Sequence, residues 1–118
     1  MKNHHTGFRR LISAAHYSKQ GYLSSWRSEA AIRQEMVALI FLLPFALWVD
    51  VTAAERAILI LSLLLVLVVE LLNTGIETVV DRIGADYHEL SGKAKDVGSA
   101  AVLTMLVAAA VVWAIILF

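Results

Sequence analysis

Three long apolar runs, separated by charged residues, set the hydrophobic pattern of the chain. The first, MVALIFLLPFALWV at 36–49, rises only about 21 Å as a helix, short of the roughly 30 Å hydrocarbon core of a bilayer. Extending it back through Ala30, Ala31 and Ile32 supplies the missing length and leaves Arg33 and Glu35 near the interface. Pro44 is tolerable there, because neighbouring helices can satisfy the backbone that it frees. The second run, 57–80, rises about 36 Å and the third, 100–118, about 28 Å, so both can span. Ahead of the first run, Phe8, Leu11, Ile12, Ala15, Leu23 and Trp26 recur at helical spacing, while Arg9, Arg10, Ser13, Gln20, Ser24 and Arg27 fill most other faces. This predicts an amphipathic helix on a membrane surface, although Lys19 falls on its apolar stripe and Gly21 weakens it. The expected fold is an all-α membrane protein in a single membrane-embedded domain: a surface helix at about 7–28 and transmembrane helices at about 30–49, 57–80 and 98–118.

Composition supports that solvent. Of 118 residues, 59% are hydrophobic and only 17% charged, more apolar surface than a soluble domain of this size could hide. Ten basic and ten acidic residues cancel, so net charge says nothing about nucleic-acid or acidic partners; no nucleic-acid partner is expected. The absence of cysteine removes disulfides, thiolate metal sites and cysteine nucleophiles together. No apolar run in the first 30 residues is long enough for a cleavable signal. The basic residues are unevenly placed: Lys2, Arg9, Arg10, Lys19, Arg27 and Arg33 precede the first span, whereas the link 50–56 holds only Arg56, and the stretch 81–99 holds Arg82, Lys93 and Lys95. The N-terminus and the second connection are therefore expected on the cytoplasmic side. Trp48 and Trp113 then fall near the outer interface and Trp26 near the inner one, as aromatic belts require.

The second span carries the chemistry. Glu70, Asn73 and Glu77 stand at i, i+3 and i+7 and share one helical face, which Asp81 continues. A charge near the bilayer centre costs on the order of 3 kcal/mol on insertion scales. A structural use is available, since protonated Glu and Asn both bond across helices. The functional use is a site: Glu77, near the water, can hold a cation through oxygen, and Glu70, two turns or about 10 Å deeper, is a desolvated candidate for a general base. Glu29 sits at the same expected depth as Glu77 and could complete a cation site, with a salt bridge to Arg33 at i+4 as the alternative. The stretch DRIGADYHELSGKAKDVGS at 81–99 reads as a polar loop, with Lys93 and Lys95 as cations for phosphate and Tyr87 and His88 as an aromatic surface for a base. Gly92-Lys93 resembles the end of a Walker A loop, but Ala94 stands where Ser or Thr is required and the preceding glycine spacing is wrong. His4 and His5 read as an exposed terminus, and His16 has no partner at i+4.

VELLNTGIETVVDR at 69–82, followed by YHELSGKAKDVGSAAVL at 87–103, closely resembles the bacterial diacylglycerol kinases, small membrane enzymes unrelated to soluble lipid kinases. TGFRRL near the N-terminus, SEAAIRQE at 28–35 and WVDV at 48–51 resemble the same family, in order and over nearly the whole chain. The resemblance implies a homotrimer of three-span subunits in the bacterial inner membrane. Its active sites would be shared between neighbours and would transfer the γ-phosphoryl group of ATP, with Mg2+, to the free hydroxyl of diacylglycerol. It further implies Glu70 as catalytic base, Asn73 as an ordering residue and Glu29 and Glu77 as metal ligands. Lys95 and Asp96 would contact the nucleotide, with Arg10, Tyr17, Asp86, Tyr87 and His88 around it. The lipid would run past Glu70, Ser99 and Trp113, with Ala14, Ala15, Ala31, Arg33, Gln34, Glu35, Trp48, Asp50 and Arg56 also on its side.

The chain departs from the family at Ser13, Lys19 and Gln20, where basic or aromatic residues are expected, and at Asp86, where Glu is expected. A related branch phosphorylates undecaprenol, but HELSGKAKD favours the diacylglycerol branch. From other classes, the acidic stripe would also suit a proton or cation channel or a non-catalytic oligomeric scaffold. A channel has no use for a stretch rich in phosphate-binding groups.

Overall fold

The computed structural model describes residues 6–84, 86 and 88–118, and all the regular elements among them are α-helices: α1 (Gly7–Ser28), α2 (Ala30–Trp48), α3 (Ala53–Ile83) and α4 (Glu89–Leu117). The last three are long and apolar enough to cross a membrane, and the chain is a membrane protein. At 31 and 29 residues, α3 and α4 rise about 46 and 43 Å, more than a hydrocarbon core requires. Polar turns therefore extend both helices beyond their apolar runs.

That extension corrects the reading of 81–99 as a loop. α3 continues to Ile83 and α4 begins at Glu89, so only 84–88 lies between them. Glu89, Leu90, Lys93, Ala94 and Lys95 are good helix formers whatever their polarity. His88 starts the helix as its N-cap, its Nδ1 accepting from the Leu90 amide at 3.1 Å. Polarity signalled exposure to water here, and exposure was mistaken for irregular backbone.

Two arginines close the corners on either side of α2. At the first, Glu29 is extended and its amide donates to the Ser25 carbonyl at 2.9 Å. Arg33 Nη1 then donates to the carbonyls of Trp26 and Arg27, at 2.7 and 3.3 Å. These are the terminal acceptors that a helix cannot satisfy itself. At the second corner Arg56 Nη1 donates to the Ala46 carbonyl at 2.6 Å. Thr52 and Glu55 form a reciprocal capping box at 3.1 and 3.0 Å, which satisfies two amides at the start of α3. Both guanidiniums are thus engaged with backbone, and Arg33 reaches carbonyls where a salt bridge to Glu29 was the sequence alternative.

The buried apolar residues gather at one end. Leu59, Leu63, Val66 and Leu67 of α3 meet Ala46 of α2 and Ala109 of α4, and Ile32 lies alone nearer the other end. Ser62 is buried among them; its hydroxyl donates to the Leu59 carbonyl at 2.7 Å and accepts from Trp113 Nε1 at 2.9 Å. The Trp113 ring stacks on Phe45 with centroids 6.0 Å apart. Outward-facing Leu72, Leu103 and Ile115 are more than 60% exposed, as lipid-facing positions should be. Replacing Trp113 by Phe keeps the stack and removes one hydrogen bond. Equilibrium unfolding in detergent should show a loss of about 1 kcal/mol, and Ser62→Ala should add little to it, because both changes remove the same bond.

Candidate active site

The helical repeat places Glu70, Asn73 and Glu77 on one face of α3, all half-buried. Asn73 Nδ2 donates to Glu77 Oε1 at 3.2 Å, a pairing that the i, i+4 spacing makes possible. Glu77 has a second carboxylate oxygen with which to receive another partner. The other end of the Asn73 carboxamide, Oδ1, is buried with no hydrogen-bond donor among the described residues. Beside this row, Thr74 and Thr78 return their hydroxyls to the carbonyls of Glu70 and Thr74, at 3.0 and 2.7 Å.

Two acids arrive from elsewhere. Glu29, at the α1–α2 corner, sets its charge against Glu70, as Glu77 does from one face of the same helix. Glu35, a turn and a half into α2, is half-buried and also bears on Glu70. Carboxylates from three segments therefore set their charge against Glu70, an arrangement that a cation relieves. Among the described residues no three acidic or histidine side chains close into a group that could hold a metal ion unaided. That donor set still fits Mg2+, which commonly takes one or two carboxylates and completes its octahedron with water and substrate phosphates. Glu29 and Glu77 would hold it, with the bonded Glu77 oxygen already oriented by Asn73.

Further along the same end, Lys95 Nζ pairs with Asp81 Oδ1 at 2.7 Å. Both groups line a cavity of about 320 Å3 with Asp86, His88, Ser91 and Gly92. The cavity joins a lysine to the first turns of α4, where backbone amides and the helix dipole favour anions. Asp96, one residue on and about 100° round the helix, lines a different cavity with Glu89 and Lys93. The two expected nucleotide contacts are thus not brought together. Arg10 and Tyr17 are exposed on α1, Tyr17 with its ring 6.1 Å from that of His16. Tyr87 lies outside the described residues.

The expected lipid contacts divide into groups. Glu35 stands with Glu70; Ala31 and Gln34 are exposed nearby on the first turns of α2, and Ser99 is exposed on α4. Ala14 and Ala15 are exposed on α1. Trp48, Asp50 and Arg56 lie at the far corner, with Arg56 about 21 Å of helix from Glu70, and Trp113 is packed against Ser62 and Phe45. The structure also contains a feature that the sequence did not signal. A cavity of about 720 Å3 between α1 and α3 is lined by hydroxyls, including Ser18, Ser24, Ser25, Thr74 and Thr78. These serines and threonines belong to two helices 50 residues apart, and nothing in either segment announces that they meet.

A family model of prokaryotic diacylglycerol kinases matches residues 16–117. The chain belongs to that family. The diacylglycerol kinase of Escherichia coli (strain K12) is 53% identical to it over 118 residues, 100% of this chain and 97% of the relative. Those of Pseudomonas aeruginosa and Haemophilus influenzae are each 46% identical, over 112 and 113 residues, covering 95% and 96% of this chain and 91% and 96% of theirs. As a diacylglycerol kinase it is a transferase acting on a lipid, which accounts for acids and a lysine at one end of a membrane bundle better than a pore does. In this kinase the Lys95–Asp81 pair is solvent-exposed, 44% and 66% by side chain, so it contributes little to the fold. Asp81→Asn should leave the unfolding midpoint nearly unchanged, measured by denaturant titration in detergent. A clear fall in it would mean that the pair is structural.

Proposed function

We propose that this kinase uses Glu70 as the base that prepares the diacylglycerol hydroxyl for attack on the γ-phosphorus of ATP, giving phosphatidic acid at the cytoplasmic interface of the inner membrane. The observation that carries this reading is the graded face of α3, with a half-buried carboxylate, an amide and a second carboxylate, continued by the Lys95 cavity. A lipid alcohol and a water-soluble nucleotide can meet only where such a gradient crosses the interface.

Phosphoryl transfer asks the protein chiefly to position the reactants and neutralise charge. Mg2+ bound with ATP supplies the neutralisation on the phosphates. Glu29 and Glu77 would hold that ion, and Asn73 fixes the Glu77 oxygen to which it donates. Lys95 and the first turns of α4 receive phosphate oxygens. Glu70, the deeper acid, takes the hydroxyl proton at a carboxylate oxygen. α1 lies on the cytoplasmic surface in this reading, supported by its exposed Phe8 and Leu11 and by its basic residues. The working form is a homotrimer with shared active sites. Support comes from the open α1–α3 cavity and from an acidic centre that no single copy closes, since acids facing lipid unshielded would be costly.

The test is phosphorylation of a short-chain diacylglycerol by purified protein with MgATP, beside Glu70→Gln. The variant should assemble as the wild type does and lose about 10²- to 10⁴-fold in kcat, the usual contribution of a general base. Near-wild-type turnover would remove Glu70 from that role. No product from well-assembled wild type would send the substrate to undecaprenol. Cation flux through proteoliposomes without ATP would favour a channel.

A further inference from the structure

We propose that Gly98 is a positioning residue for the acidic centre: its lack of a side chain lets α4 accommodate the Asn73 carboxamide, and so keeps Asn73 bonded to Glu77. This rests on the assignment of Glu77 as a cation ligand.

Gly98 is buried in α4 where that helix packs on α3. A Cβ built on it would collide with Asn73 Oδ1 and stand 3.2 Å from Asn73 Cγ. At Gly21 and Gly75 a Cβ would meet nothing within 4 Å, so the crowding is specific to this position. The obstacle is the end of a polar side chain and not the backbone of α3. The need for glycine therefore comes from Asn73 and not from helix separation alone, which is the usual reason for a small residue between membrane helices. The orientation of the carboxamide is fixed as well. An ionised carboxylate only accepts hydrogen bonds, so the atom facing Glu77 Oε1 must be Nδ2. Oδ1 must then face α4, where it is buried without a conventional donor. The glycine's second Hα occupies the direction of the absent Cβ and provides a weak Cα–H···O contact. An alanine would drive the carboxamide off this seat. Asn73 could relax only by rotating, which breaks its bond to Glu77.

Binding of Mn2+ with a non-hydrolysable ATP analogue, followed by electron paramagnetic resonance on the assembled protein in detergent, reads this without turnover. Gly98→Ala should weaken that binding about 10- to 100-fold, the range for losing a group that orients a metal ligand, with KM for diacylglycerol unchanged. In an Asn73→Ala background, where the obstacle is gone, Gly98→Ala should weaken it no further. An equal loss in both backgrounds, or no loss in either, overturns the inference. If Gly98→Ala alone fails to assemble, Asn73→Ala should restore assembly, and failure of both overturns it too. Glu77→Gln separates the two levels. Wild-type Mn2+ binding in that variant sinks the ligand assignment and this inference with it. Weak binding there beside normal binding in Gly98→Ala sinks the role of Gly98 alone.

Discussion

The gathering of Glu29, Glu35 and Glu77 around Glu70 is the constraint around which the rest of the structure is arranged. Like charges brought together away from bulk water raise the free energy of the fold, and a bilayer adds several kcal/mol for each acid carried toward its centre. The chain contains that cost by confining it. The acids occupy one end of the bundle, where α3 and α4 outrun the hydrocarbon thickness and where the α1–α2 corner adds Glu29. Partial exposure, one amide hydrogen bond and a nearby lysine temper the strain. A bound cation and its phosphates would complete the compensation on the proposed reading, so that substrate affinity would draw on repulsion already present in the empty protein.

The opposite end is built on other terms. Most of the buried apolar side chains lie between Leu59 and Leu67 of α3 and their neighbours Ala46 and Ala109. The Ser62–Trp113 hydrogen bond and the Phe45 stack tie the three spanning helices together at that level. Beyond Leu67, α3 has no buried residue. A single helix thus passes from a region that provides stability to one that provides polar chemistry. Free energies of local opening follow packing, so the acidic end is the more deformable of the two. That suits a surface where a lipid and a nucleotide must enter and leave.

What the sequence made legible followed from periodicity. Runs of apolar residues locate three spans, and the spacing of Glu70, Asn73 and Glu77 puts them on one face. The failures share a cause. Hydropathy reports the solvent around a segment and not its backbone, so the polar first turns of α4 resembled a loop although Glu89, Lys93 and Lys95 are strong helix formers. The targets of Arg33 and Arg56 are carbonyls 5 to 10 residues away, and reaching them depends on how sharply each corner turns. Gly98 gave no signal, because only the approach of a second helix distinguishes it from any small residue in an apolar run.

The corner between α2 and α3 settles its own polar groups. It is short, polar and charged, and it stands at the end of the bundle away from the acids. Arg56 already donates to carbonyls on both sides of the turn, Ala46 and Val51, and Thr52 and Glu55 satisfy each other's amides. A guanidinium with its acceptors attached is less dependent on water than a free one. The α2–α3 hairpin therefore carries its charge inside a turn whose hydrogen bonds are all local, drawing on neither α1 nor α4.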